Sequence, residues 1–216
     1  YYHLLNCGIR LPPSAGSASG VLPNPVGYNR VYVRVDGPLT WEKWWEGLRA
    51  GQVFVTNGPL LRVQADEQWP GHVFHIPPGE SLSLKLDAKI EGRDAFSEIE
   101  VIRNGKVFRK IPLADWQRDR SLGEIPFKKS GWFLVRIIAD NRETFRFAST
   151  GPFYVEAADQ PRRISRQSAQ FFLSWIQDRM ARLALADAVQ REEVLQPLRT
   201  AEKWWQDKVT SATTDN

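Results

Sequence analysis

Apolar and polar side chains alternate with a period of two along several short stretches, which is the pattern of strands with one wet face. Val31, Val33 and Val35 face one way while Tyr32 and Arg34 face the other, predicting a strand over residues 30–35. Leu82, Leu84, Leu86 and Ala88 alternate with Ser83, Lys85, Asp87 and Lys89 in the same manner. Ile99 and Val101 alternate with Glu98 and Glu100, and Asn104-Gly105 then supplies the positive φ angles of a two-residue hairpin. Residues 132–139 are apolar on both faces except Arg136, which predicts a central strand. With further strands at 144–148 and 152–156, the whole stretch 60–155 reads as all-β. Six to eight short strands separated by turns predict an antiparallel sandwich of the immunoglobulin-like kind.

Helical periodicity appears in two places. Thr40 is a suitable N-cap for a helix through Ala50, with Glu42 in the first turn and Gly51 as the stop. Trp41, Trp44, Trp45 and Leu48 are expected to bury one face of it. After Pro161, Ser165 caps a helix to about residue 186, with Phe172, Trp175, Ile176, Arg179 and Leu183 as its stripe. A second helix follows over 188–209, with a kink or restart expected near Gln196 because Pro197 removes a backbone donor. Residues 1–7 read as a strand, and Pro12-Pro13 opens a long loop over 11–29.

Composition narrows the class. Hydrophobic content of 42% over 216 residues is ample for a packed core, so disorder is excluded for most of the chain. The formal charge of +4 comes from 29 basic and 25 acidic side chains that are scattered, which gives no nucleic-acid footprint. No apolar run approaches the ~18 residues of a membrane span. Cys7 is the single cysteine, so packing rather than an internal disulfide stabilises the fold. No nucleic-acid or membrane partner is expected.

Several strings carry a family likeness: Leu4-Leu5-Asn6-Cys7-Gly8, Ser14-Ala15-Gly16-Ser17, Gly27-Tyr28-Asn29-Arg30-Val31-Tyr32-Val33, Thr56-Asn57-Gly58-Pro59, Ser130-Gly131-Trp132 and residues 149–155. Together they resemble the late part of the CehA/McbA family of metal-dependent hydrolases, which carry a PHP-like phosphoesterase barrel. The resemblance implies that 1–58 are the closing strands and helix of a truncated barrel, while the residue pattern gives a sandwich over 59–157, a helical hairpin over 158–209 and a disordered tail over 210–216. It also implies metal ligands upstream, and an Asp and a His in a Gly-Ser-Asp-x-His string. Here that string reads Gly16-Ser17-Ala18-Ser19-Gly20, whose methyl and hydrogen side chains hold no cation. The expected function is therefore that of a non-catalytic C-terminal portion that completes the barrel and shapes the substrate entrance. No catalytic or metal-binding residue and no cofactor are expected in this chain, and any divalent metal belongs to a longer parent.

Two other functions fit the residues. One is an independent sandwich that binds carbohydrate or protein through exposed aromatics; the other is part of an active metal-dependent (phospho)esterase whose ligands all lie upstream. The expected partners are the upstream part of the same polypeptide and, through unpaired strand edges, a second copy. Arg10, Ser17, Asn29 and Arg30 are the candidate ligand-binding residues, because guanidinium groups on loops bind phosphate or carboxylate bidentately. His3 joins them as a residue near an old active-site mouth. The bland alternative for Asn29 and Arg30 is that they brace the long loop by hydrogen bonds to its carbonyls. His72 and His75 are read as loop or strand-edge histidines, and Trp44-Trp45 and Trp204-Trp205 as packing residues.

Overall fold

A computed structural model of the chain describes residues 1–21 and 24–216. Leu22 and Pro23, within the expected loop, lie outside the described residues. The chain forms two compact units, one of residues 1–10 with 161–216 and one of residues 11–160. The N-terminal segment therefore belongs with the helices rather than with the first strands.

In the helical unit, α1 (Tyr2–Asn6) occupies the stretch expected as a strand. Five residues are too few to show a period, and burial decides the outcome. Leu5 and Cys7 are buried, and Cys7 clusters with Ala169, Leu173 and Trp205. Those partners come from α4 (Arg166–Ala181) and α5 (Ala188–Thr210). Ser165 caps α4 as expected, its hydroxyl accepting from the Ser168 N–H at 3.2 Å. The stripe of α4 holds in part: Phe172 and Ile176 pack against the core as expected, Ala169 and Leu173 are its covered positions, and Trp175 is 63% exposed. Helix α5 runs unbroken through Pro197. Phe172 and Trp205 stack at 4.4 Å and join the two helices. Burial pushes the Cys7 thiol up to about 11, so it stays protonated near neutral pH. The tail expected to be disordered is instead tied down. The Arg166 N–H donates to Thr214 O at 2.8 Å, and the Ile164 N–H to Thr213 Oγ1 at 2.9 Å.

The other unit is mainly β. One sheet holds β3 (Leu60–Ala65), β5 (Leu82–Glu91) and β8 (Ser121–Phe127), paired antiparallel in that spatial order. The larger sheet is built on β9 (Gly131–Ile138), which pairs with β6 (Glu98–Arg103) on one edge. On its other edge, β9 pairs first with β11 (Phe153–Ala157) and then with β10 (Phe147–Thr150). The hairpin partner β7 (Lys106–Pro112) follows β6 through Asn104 and Gly105, both at positive φ as expected. The central position expected for residues 132–139 is thus observed.

In chain order these are eight strands: the first, second and fifth share one sheet, and the third, fourth, sixth, seventh and eighth share the other. That is an immunoglobulin-like sandwich. Leu61, Val63, Leu84 and Leu86 of the small sheet meet Ile99, Val101, Phe133, Val135 and Phe153 of the large one. The alternation at 82–88 holds, with Leu84, Leu86 and Ala88 buried and the intervening polar residues exposed.

Three features depart from the sequence reading. Helix α3 (Leu113–Asp119) interrupts the stretch expected to be all-β, anchored by Trp116, whose Nε1–H donates to Ala88 O at 3.2 Å. β1 (Arg30–Val33) and β2 (Val53–Thr56) are antiparallel, and β2 pairs with β10, so both extend the large sheet of the sandwich. A parallel barrel fragment is not what these strands form. Between them, α2 (Trp41–Arg49) is capped by Thr40 as expected, but Gly47 is its buried position and Trp41 is 71% exposed. On the far side, β4 (Val73–Ile76) pairs in parallel with β11. None of the described helices is long and apolar enough to cross a membrane.

Candidate functional site

The small sheet ends at β3, while β1 and β2 carry the large sheet further. This overhang leaves a cleft of about 490 Å³ lined by Tyr32, Arg34, Phe54, Arg62, Trp69 and Thr150 among others. Its floor follows from strand register. Tyr32 and Phe54 are direct cross-strand partners, and their rings stack at 4.8 Å with 5° between planes.

Arg34 continues the same face. Its Nη1 donates to Gln52 Oε1 at 3.3 Å, its Nη2 pairs with Asp36, and its guanidinium lies 4.7 Å from the Trp69 ring centroid. The charge is thus paired with Asp36, and the guanidinium is held over the indole.

Trp69 is pinned from both sides along the chain. Before it, Asp66 and Glu67 take φ of 40° and 64°, closing a tight turn in which Ala65 and Gln68 exchange hydrogen bonds of 3.0 and 2.8 Å. The Asp66 carboxylate accepts from the Lys85 N–H at 2.9 Å and holds a non-glycine residue in that conformation. After it, the Gly71 N–H donates to Pro152 O at 2.8 Å. The cleft wall is therefore fixed before any ligand arrives.

The candidate residues named from the sequence are divided between the two units. His3 lies in the helical unit, stacked on Phe171 at 4.3 Å, with Nδ1 3.0 Å from Ser168 Oγ. Arg10 is an exposed residue of that same unit. Ser17 and Asn29 tie the long loop to itself. The Asn29 N–H donates to Ser17 Oγ at 2.9 Å, Ser17 Oγ donates to Asn29 O at 3.3 Å, and Asn29 Nδ2 donates to Gly16 O at 3.3 Å. For Asn29 this is the bracing role. Arg30 is not part of the cleft lining either, but alone of the five it neighbours a lining residue, its Cζ 5.9 Å from the Tyr32 ring centroid.

A metal does not fit the 16–20 string, because the Ser17 hydroxyl is already engaged with Asn29. Among the described residues, no group of three or more His, Cys, Asp or Glu side chains is placed to hold a metal ion. His72 and His75 are both exposed. Partial burial, then the charge on His75, holds the His72 pKa below its ordinary value.

The sequence reading missed Phe54, Gln52 and Trp69. One signal was legible: Tyr32 sits between two arginines on the polar face of β1. The partners of that face come from segments about 20 and 40 residues away, beyond the reach of local pattern.

No family model matches this chain, and no curated protein does. Among solved structures it is similar to the fibronectin(III)-like modules of Clostridium thermocellum CbhA. Identity is 15% and the TM-score 0.28, over 44% of this chain and 98% of that one. It is also similar to a Jonesia denitrificans lytic polysaccharide monooxygenase, at 13% identity and a TM-score of 0.27, over 72% of this chain and 92% of that one.

Proposed function

We propose that residues 11–160 are a non-catalytic recognition module that binds carbohydrate in the cleft beneath Trp69. On this reading the module would serve a relative of the CehA/McbA-type hydrolases by holding substrate near the entrance. The observation that supports binding is the cleft itself: a preformed space whose aromatic residues are framed by fixed planar donors. Pyranose rings present an apolar C–H face to an aromatic ring and a rim of hydroxyls to groups such as the Gln52 amide and the Arg34 guanidinium. The cleft volume of about 490 Å³ lies within the roughly 300–1,000 Å³ usual for ligand pockets.

Calorimetric titration of short neutral and acidic oligosaccharides tests the reading. Trp69→Ala should weaken binding by about tenfold or more, since a rigid aromatic at a pocket centre is a typical hot spot. Circular dichroism of the variant should match the parent. Equal affinity in the two proteins, or no binding across the panel, overturns the proposal.

A further inference from the structure

One cation beside the cleft is unaccounted for by the fold. Alternate residues of a strand share a face, so Arg30 and Tyr32 stand together on β1, and Arg34, just past its end, follows Tyr32 on the other side. Arg34 is committed to Gln52, Asp36 and the Trp69 ring. Arg30 is not. Its Nε is buried without a hydrogen-bond partner, and no carboxylate among the described residues pairs with its guanidinium. Arg146 also has an unpartnered buried Nε, but its charge is met by Asp94 Oδ1 at 2.8 Å. Arg30 has no such compensation.

A guanidinium stays protonated under all ordinary conditions, so it cannot escape this cost by losing its charge. A partly desolvated, uncompensated cation next to an aromatic face is a standing demand for an oxyanion. The planar group meets a carboxylate with two parallel hydrogen bonds.

We propose that Arg30 receives the carboxylate of an acidic sugar seated at the end of the cleft beside Tyr32. This rests on the carbohydrate reading of the cleft and specifies its ligand class as uronate-containing glycans. In a hexuronate the carboxylate hangs from the ring carbon next to the ring oxygen, so one sugar unit presents an apolar face and an adjacent anion. The anion matches Arg30, and the apolar face matches the aromatic lining that Tyr32, Phe54 and Trp69 give the cleft next to it. Arg34, already neutralised by Asp36, serves the hydroxyl rim.

The test compares an oligogalacturonate with its methyl ester, which keeps the carbon skeleton and removes the charge. Calorimetry with the whole chain should show the free acid binding about tenfold tighter than the ester. In Arg30→Gln that preference should fall to about one. Arg30→Lys should restore part of it, since the charge returns without the fork. The preference should also shrink as salt is raised. Thermal melts of both variants should stay near the parent's, which separates a lost contact from a lost fold.

If acid and ester bind the parent equally, the carbohydrate reading stands and the role of Arg30 is overturned. If the acid preference survives in Arg30→Gln, the charge is read elsewhere and the inference is equally overturned. If neither ligand binds, the cleft reading itself fails and takes this inference with it.

Discussion

Replacing Gly71 with alanine should lower the thermal unfolding midpoint of the β unit by about 6–12 °C, from a loss of about 3 kcal/mol or more at ~2–4 °C per kcal/mol. Three chain crossings meet at this residue. A Cβ there would lie 1.8 Å from the Ala50 carbonyl oxygen and 2.9 Å from its carbon. Gly51 and Gly151 pack into the same place: a Cβ on Gly51 would lie 3.1 Å from the Gly71 Cα, and one on Gly151 would lie 2.6 Å from the Gly51 oxygen. The clash is with backbone, so no side-chain rotation relieves it, and φ of +90° adds strain for any residue with a Cβ.

Gly79 is the control. It has φ of +75° but nothing within 4 Å of its would-be Cβ, so Gly79→Ala should cost only about 1 kcal/mol of backbone strain. Circular dichroism melts of the two variants decide the matter. Equal melting points would mean that the crossing is not close-packed. Because Gly71 holds the chain just beyond Trp69, its loss should also disturb the cleft.

The second large effect is in the core between the sheets. Phe133→Ala should destabilise the fold by about 3–5 kcal/mol in urea titrations, as large aromatic truncations in closed cores do. Phe133 is fully buried on the central strand β9, stacked on Phe153 at 4.8 Å with 7° between planes, and 5.7 Å from the Phe127 ring. These partners come from both sheets, and the neighbours are held by strand pairing on each side. The space left behind therefore has little freedom to collapse. Ile138→Ala, at the 39% exposed end of the same strand, should change stability by less than ~1 kcal/mol. A similar small loss for Phe133→Ala would contradict the packing described.

How much of this was written locally in the chain differs by element. The strand over 82–91 is legible because one face is wet and the other dry. The β6–β7 hairpin is legible because Asn104 and Gly105 both adopt the positive φ that their turn requires. The Thr40 and Ser165 caps are legible because the bond that makes them spans three residues. What fails locally is what tertiary contact decides. Residues 2–6 become a helix because Leu5 and Cys7 find cover in a unit shared with residues some 160 positions later. β1 and β2 join the sandwich because β2 finds β10, about 95 residues on.

Of the five residues that the sequence suggests, Arg30 alone neighbours a residue of the cleft. Arg30 was picked for its guanidinium, and the structure puts it beside Tyr32. Ser17 and Asn29 were picked from a loop whose polar groups satisfy each other. His3 was picked from a segment read in the wrong secondary structure. The aromatic wall of the cleft escaped notice because Trp69 follows a turn whose positive φ angles fall on Asp66 and Glu67 rather than on glycine.

The most direct measurement is a nitrogen-15 NMR titration of the labelled chain with an oligogalacturonate, reading the tryptophan indole signals, with Trp69 assigned through Trp69→Phe. Saturable shifts of the Trp69 indole and of the amides at 30–34 and 52–54, with the exposed Trp175 and Trp204 indoles unmoved, are the predicted result. Shifts confined to Trp175 or Trp204, or a spectrum that does not change, would contradict it.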